Sequence, residues 1–261
     1  MATPAAPVTT PYTMPSAVCS LLRGAGTCKI AALSMTAAEI DALRLSLSVA
    51  LRSVAVSLPF AIAVAWLLAR SRLRGRMVLD AIVHLPLVLP PVVVGYLLLV
   101  LFGIRGPIGR WLYESLGVQL TFTTAGAALA TAVMSFPLVV RAIRLSLESV
   151  DHGLEDAART LGAGRWDRFF TITLPLMLPG ILAGSVIAFA AGLGEFGAVI
   201  TFASNIPGET RTLPLALYTA LQTPGGDALA ARLATISIAL GLMGLLTAEL
   251  LARRMRRLLG R

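Results

Sequence analysis

The sequence predicts an all-α integral membrane protein with about five transmembrane helices, and three observations carry that prediction. The 261 residues are 57% hydrophobic and only 13% charged, with a mean hydropathy of +0.83, whereas soluble domains carry about 25% charged residues. Several uncharged apolar runs approach the ~20 residues that a helix needs to cross a bilayer core. Arginines stand at the ends of those runs, as membrane topology requires, so the net charge of +9 reflects orientation and not nucleic-acid binding. The alternating ten-residue segments of a membrane barrel are absent.

Residues 1–34 are rich in Ala, Pro, Thr and Gly and lack periodicity, which predicts a disordered extension over about 1–36 rather than a signal peptide. Met35 opens a helix-forming run and reads as the natural initiator. The first span covers about Leu43–Ala69. Its uncharged part begins at Ser53 and reaches only about 25 Å, so Arg52 snorkels at one end. A short loop with Arg70, Arg72, Arg74, Gly75 and Arg76 follows. The second span, Ala81–Ile104, contains Pro86, Pro90 and Pro91. Each removes a backbone donor, so this helix is kinked or broken, either by packing or to line a wet path. The loop Gly103–Thr124 carries Trp111, Leu112 and Tyr113, suited to the membrane interface.

The third span lies within Ser115–Val140, starting near Ala125, with Pro137 bending its far end and Arg141 and Arg144 following. The fourth is Phe169–Gly194, with Gly180 and Gly184 spaced for close helix approach. A loop Thr201–Asp227 leads to the fifth span, about Ala228–Leu251. Fourteen of the 22 Lys and Arg then fall on one side, after the first, third and fifth spans. The positive-inside rule places that side in the cytoplasm, with the N-terminus periplasmic and the C-terminus cytoplasmic.

One hydrophilic stretch, about 150–175, interrupts the apolar chain on the cytoplasmic side. Val150, Leu154, Ala157, Ala158 and Leu161 recur at helical spacing. Glu155 and Asp156 open the stronger piece, Arg159 is four after Glu155, and Gly162 stops the helix as a C′ glycine. A second short piece, Arg165–Thr173, leads to Leu174-Pro175. The product is a small helical knob with little side chain at its turn, open to close approach by another protein. It holds no paired base, nucleophile or metal cluster.

Two cysteines, Cys19 and Cys28, and two distant histidines, His84 and His152, give no metal-ligand spacing. No cofactor is expected. The chain has one lysine, Lys29, and no glycine-rich phosphate loop. If ATP is used, another chain supplies its site.

Ala157-Ala158-xxx-Gly162, followed after nine residues by Ile172-x-Leu174-Pro175, resembles the EAA loop of ABC-importer permease subunits, which have the MetI-like fold. The family's Glu falls on Asp156 here, which keeps the charge. The segments His84–Tyr96, Ser135–Leu138, Gly194–Ala198 and Ser204–Pro214 are similar to the permease subunit of bacterial molybdate importers. The Gly-Glu-Phe-Gly element is also similar to sulfate/thiosulfate permeases. The resemblance covers about Met35 to the end. It implies a bacterial inner-membrane permease, itself not an enzyme, that moves molybdate (or tungstate, or sulfate) through a path formed by two copies. Two ATP-binding subunits would drive it and a periplasmic oxyanion-binding protein would deliver the substrate. The coupling contact would be Glu155, Asp156, Ala157, Ala158, Gly162, Ile172, Leu174 and Pro175. An ion-coupled carrier, the alternative, needs a chain of intramembrane acids or an internal repeat, and neither is seen.

Candidate path or gate residues are Pro90, Pro91, Gly95, Ser135, Glu195, Thr201 and Ser204. An intramembrane acid is a functional candidate by default, yet a carboxylate repels a dianion. Glu195 therefore reads as a structural partner for Arg52 or Arg211, or as a gate element. Neutral donors such as Ser135, Thr201 and Ser204 suit transient contact with an oxyanion.

Overall fold

The computed structural model describes residues 35–70, 75–149 and 152–258, and every regular element among them is helical. The expected N-terminal extension falls, up to Ser34, outside the described residues. Helix α1, Ala37–Arg70, has 34 residues and runs through Pro59. It starts earlier than the apolar pattern suggests, because its first turns are polar but still helix-forming.

The second apolar run is not one straight span. It divides into α2, Arg76–Val88, and α3, Pro91–Phe102, bent by 116°. The cause is local. A residue before proline is driven out of the helical region, and here two such residues follow each other: Leu89 has ψ 144° and Pro90 has ψ 134°. Pro86 lies inside α2 without ending it. The expected loop after this run contains α4, Pro107–Leu116, with Trp111 and Tyr113 exposed and Gly117 closing it at φ +65°.

Helix α5, Thr124–Glu148, is capped by the Thr123 hydroxyl, which accepts from the Gly126 N–H at 3.1 Å. It continues through Pro137, so Arg141 and Arg144 belong to the helix and not to the loop expected after it. The hydrophilic stretch forms α6, His152–Thr160, and α7, Arg165–Arg168. A π-helical turn, Phe169–Thr173, then joins α7 to α8, Leu174–Leu193. Two helices fall where a loop was expected to begin or run: α9, Gly197–Phe202, and α10, Leu213–Gln222. The last, α11, spans Asp227–Leu258. By length and composition α1, α5, Trp166–Leu193 and Asp227–Thr247 can each cross a membrane, and the bent α2–α3 pair makes up to five.

Of three buried apolar clusters among the described residues, two form cores that stack along these helices. One joins Ala61, Ala65 and Leu68 of α1, Val83 of α2, Val139 to Leu147 of α5, and Met177, Ile181 and Ala188 of α8. The other joins Val49 of α1, Val94 and Leu98 of α3, Ala127 to Ala130 of α5, Ala198 to Phe202 of α9, and Leu215 of α10. Helices α1 and α5 run through both. The breaks α2/α3 and α8/α9 fall where the chain passes from one core to the other. Gly180 and Gly184 seat α8 on α5 as their spacing predicts. A Cβ at Gly180 would lie 2.4 Å from Ser146 Cβ, and one at Gly184 would lie 3.2 Å from Ala142 Cβ.

Candidate functional site

Two regions hold the residues singled out by sequence. The first is the knob. Helix α6 has nine residues, too short to persist alone, and its end is fixed by a Schellman arrangement. The Gly162 N–H donates to the Arg159 carbonyl at 3.1 Å and the Ala163 N–H to the Ala158 carbonyl at 3.0 Å. Gly162 has φ +85°, and a Cβ there would meet no atom within 4 Å. Glycine is needed for the left-handed backbone, not for room. The α6–α7 unit folds onto its own π-helical turn.

That turn has a physical cause in Pro175. A proline in the first turn of α8 cannot donate and crowds the carbonyl four residues earlier. The wider turn moves the bonding on by one residue, with the Leu174 N–H donating to the Phe169 carbonyl. Trp166 stacks on Phe170, ring centroids 6.3 Å apart, and Phe169 meets Phe170 edge-on at 5.2 Å.

The knob is exposed. Asp156, Ala157, Gly162 and Pro175 are on the surface, while Ala158, Ile172 and Leu174 are half-buried. The expected Glu155–Arg159 pairing rests on the Glu155 side chain, which lies outside the described residues. Sequence reasoning passed over the apolar tips. Leu161 is 87% exposed and Trp166 76%, in a segment otherwise charged and small.

The second region is the pair of helix breaks. Helices α3 and α9 lie side by side, and glycines set their separation. A Cβ at Gly95 would lie 2.7 Å from the Ala198 carbonyl oxygen and 2.8 Å from Thr201 Cβ, and one at Gly197 would lie 2.7 Å from Pro91 Cβ. Pro90, Pro91, Gly95, Glu195 and Thr201 are thereby brought to one junction. Glu195 Oε1 accepts from the Ala198 N–H at 2.9 Å, holding the first turn of α9. The ion pairs considered from sequence are not formed. Arg211 donates from Nε to Asn205 Oδ1 at 2.9 Å, and Arg52 is exposed on α1.

The hydroxyl candidates are occupied. Thr201 donates to the Gly197 carbonyl at 2.8 Å, and Ser135, 2% exposed, donates to the Thr131 carbonyl at 2.9 Å. A hydroxyl has one hydrogen to give, so neither offers it to an anion in this conformation. Ser204 sits two residues beyond the end of α9 in the left-handed region, φ +66°. It opens a tightly tied loop. Pro207-Gly208, with Gly208 at φ +77°, forms a type II turn in which the Glu209 N–H donates to the Ile206 carbonyl at 3.2 Å. The buried Thr210 hydroxyl accepts from the Ile206 N–H at 2.9 Å and donates to the Ser204 carbonyl at 3.2 Å. The Asn-Ile-Pro-Gly-Glu-Thr-Arg segment is thus a self-bonded loop, with Asn205 bridging Arg211 and Thr219.

Cross-helix charges were not found from sequence. Glu39, 1% exposed, pairs with Arg232 at 2.7 Å, joining the first turn of α1 to α11. Arg144 reaches Asp80 at 3.0 Å, joining α5 to α2. The only available signal was each acid's place near the polar end of an apolar run.

The comparisons with known proteins agree with this architecture. The Molybdenum transport system permease protein ModB of Escherichia coli (strain K12) is 63% identical over 227 residues, 87% of this chain and 99% of that protein. The Sulfate transport system permease protein CysT of the same strain is 40% identical over 184 residues, 69% of this chain and 66% of that protein. A solved bacterial alginate ABC transporter, in complex with an alginate pentasaccharide-bound periplasmic protein, matches with TM-score 0.70 at 19% identity, covering 88% of this chain and 83% of that chain. At that identity the likeness concerns the fold. The profile of the family described as Binding-protein-dependent transport system inner membrane component matches residues 42–257, and the chain belongs to that family of multi-pass inner-membrane permeases.

Proposed function

We propose that the chain is the permease subunit of an ATP-driven molybdate importer, working as a pair of identical copies with two ATP-binding subunits and a periplasmic oxyanion-binding protein. One observation carries the substrate: the 63% identity with a molybdenum permease spans nearly the whole of that protein, against 40% with the sulfate permease over a shorter stretch. The knob is the contact with the ATP-binding subunit. Its exposed Leu161 and Trp166, its small Ala157, Ala158 and Gly162, and its acidic Asp156 suit a groove on a partner. Hydrolysis there moves α6 and α7, and α8 carries that motion towards Glu195 and the junction.

The arginine distribution favours a cytoplasmic knob, a periplasmic N-terminus and a bent but complete crossing by α2–α3. The hydrogen-bonded pairs support the same topology. Asp80 and Arg144 share one membrane side, and Glu39 and Arg232 share the other. Gate and path residues are assigned to the junction of Pro90, Pro91, Gly95 and Glu195, with Ser135, Thr201 and Ser204 as further path candidates. A hydroxyl there would have to release its own-helix bond to meet the dianion, which keeps the contact weak enough for release. The test is uptake of labelled molybdate by the reconstituted system with tungstate and sulfate as competitors. Tungstate should compete and sulfate should not. Sulfate displacing molybdate at equal concentration would overturn the substrate.

A further inference from the structure

A set of charged side chains lies between the knob and the α2/α3 break, and no role so far uses it. Arg144, near the end of α5, donates from Nε to Glu148 Oε1 at 2.8 Å and from Nη1 to Asp80 Oδ1 at 3.0 Å. Asp80 is in the second turn of α2, and its Oδ1 is 3.3 Å from His84 Nδ1. Arg76, the first residue of α2, lies 3.6 Å from Glu148 Oε1. Two carboxylates on two helices are thus held by one guanidinium fork, a geometry that lysine cannot reproduce.

These side chains are 24–42% exposed, so each pair by itself adds little to stability. What the set fixes is relative position. Beneath it, Leu79 and Val83 of α2 pack with Val140, Ile143 and Leu147 of α5. Glu148 is four residues before the start of α6. At the other end of α2 come Leu89 and Pro90, where α3 departs into the second core. A displacement of the knob that pulls on the end of α5 is therefore handed to α2, and the extended backbone at Leu89-Pro90 is where α2 can turn against α3.

We infer that Asp80, Arg144 and Glu148 are positioning residues for transport, linking the knob to the broken helix. The inference rests on the knob being the contact with the ATP-binding subunit. The experiment compares Asp80→Asn with Asp80→Glu, and Arg144→Gln with Arg144→Lys, in the full complex reconstituted with its ATP-binding subunit and binding protein. Four quantities are read: membrane yield, retained ATP-binding subunit, ATP hydrolysis, and molybdate taken up per ATP. Asp80→Asn and Arg144→Gln should lower uptake per ATP at least fivefold while yield, retained subunit and hydrolysis stay within twofold. Asp80→Glu should recover most of the ratio. Arg144→Lys, which can hold only one of the two acids, should recover part. If uptake per ATP is unchanged in Asp80→Asn and Arg144→Gln, or if yield and hydrolysis fall in step with uptake in all four variants, the linkage is wrong and the set is a simple anchor. If the unmodified chain retains no ATP-binding subunit, the reading of the knob fails and takes the linkage with it.

Discussion

The knob and the junction both depend on glycine, but for opposite reasons. At Gly162 there is space on every side, and the backbone sits at φ +85°. At Gly95 the backbone is ordinary helix, and there is no space, with the Ala198 carbonyl 2.7 Å from where a Cβ would be. The knob is a shape made by local hydrogen bonds and offered outward. The junction is a shape made by contact between distant segments and closed inward. An outward-facing shape can be built locally, whereas a closed contact has to be built from surfaces that meet.

Substitutions that exchange these two requirements give the sharpest test. The largest effect is expected for Gly95→Val. Its side chain would meet backbone that cannot rotate away, so α3 and α9 must separate at a cost of about 3 kcal/mol, and transport should fall more than tenfold in uptake assays. Gly162→Val should cost about 1–2 kcal/mol through its left-handed backbone alone, seen as lower uptake per ATP with normal membrane yield. Asparagine divides the two: Gly162→Asn should retain most coupling, because Asn tolerates the left-handed region, and Gly95→Asn should be as damaging as valine. Equal tolerance at both positions would break the distinction.

A smaller effect is expected at Glu195. Its acceptor oxygen holds the first turn of α9, so Glu195→Ala should cost about 1 kcal/mol, as loss of a cap does. Glu195→Gln keeps an acceptor and should lose less, measured by thermal unfolding in detergent and by uptake. If the glutamine variant is the worse of the two, the carboxylate's charge matters beyond the cap. Leu161→Ser should change stability least, within about 0.5 kcal/mol as for other surface changes, while weakening retention of the ATP-binding subunit.

What was legible in the sequence follows the same division. The α2/α3 break was readable because proline acts on its own neighbours, and Leu89-Pro90-Pro91 is sufficient to force extended backbone. The knob's turn was readable because Gly162 ends α6, its own N–H bonding to Arg159 and the next N–H, of Ala163, to Ala158. The small-residue contact of α8 with α5 was readable from the spacing of Gly180 and Gly184. By contrast, the pairing of Glu39 with Arg232 and of Arg144 with Asp80 depends on which helices lie side by side, and nothing local specifies that. Glu195 was matched to Arg52 or Arg211 on charge alone, yet its carboxylate oxygen accepts from the backbone N–H of Ala198, three residues on. Helix α10 was missed because Pro, Gly and Thr around it read as loop punctuation, although Leu213, Leu215 and Ala220 line its buried side.

The central claim is that the knob docks on an ATP-binding subunit while the junction does not. Cysteine cross-linking tests it directly. In a chain with Cys19 and Cys28 replaced, Ala157→Cys should cross-link to the ATP-binding subunit from the cytoplasmic side and block uptake until the link is reduced. Pro91→Cys, at the junction, should not. An Ala157→Cys variant that is labelled only from the periplasm, or that captures no ATP-binding subunit while uptake remains active, would contradict the account.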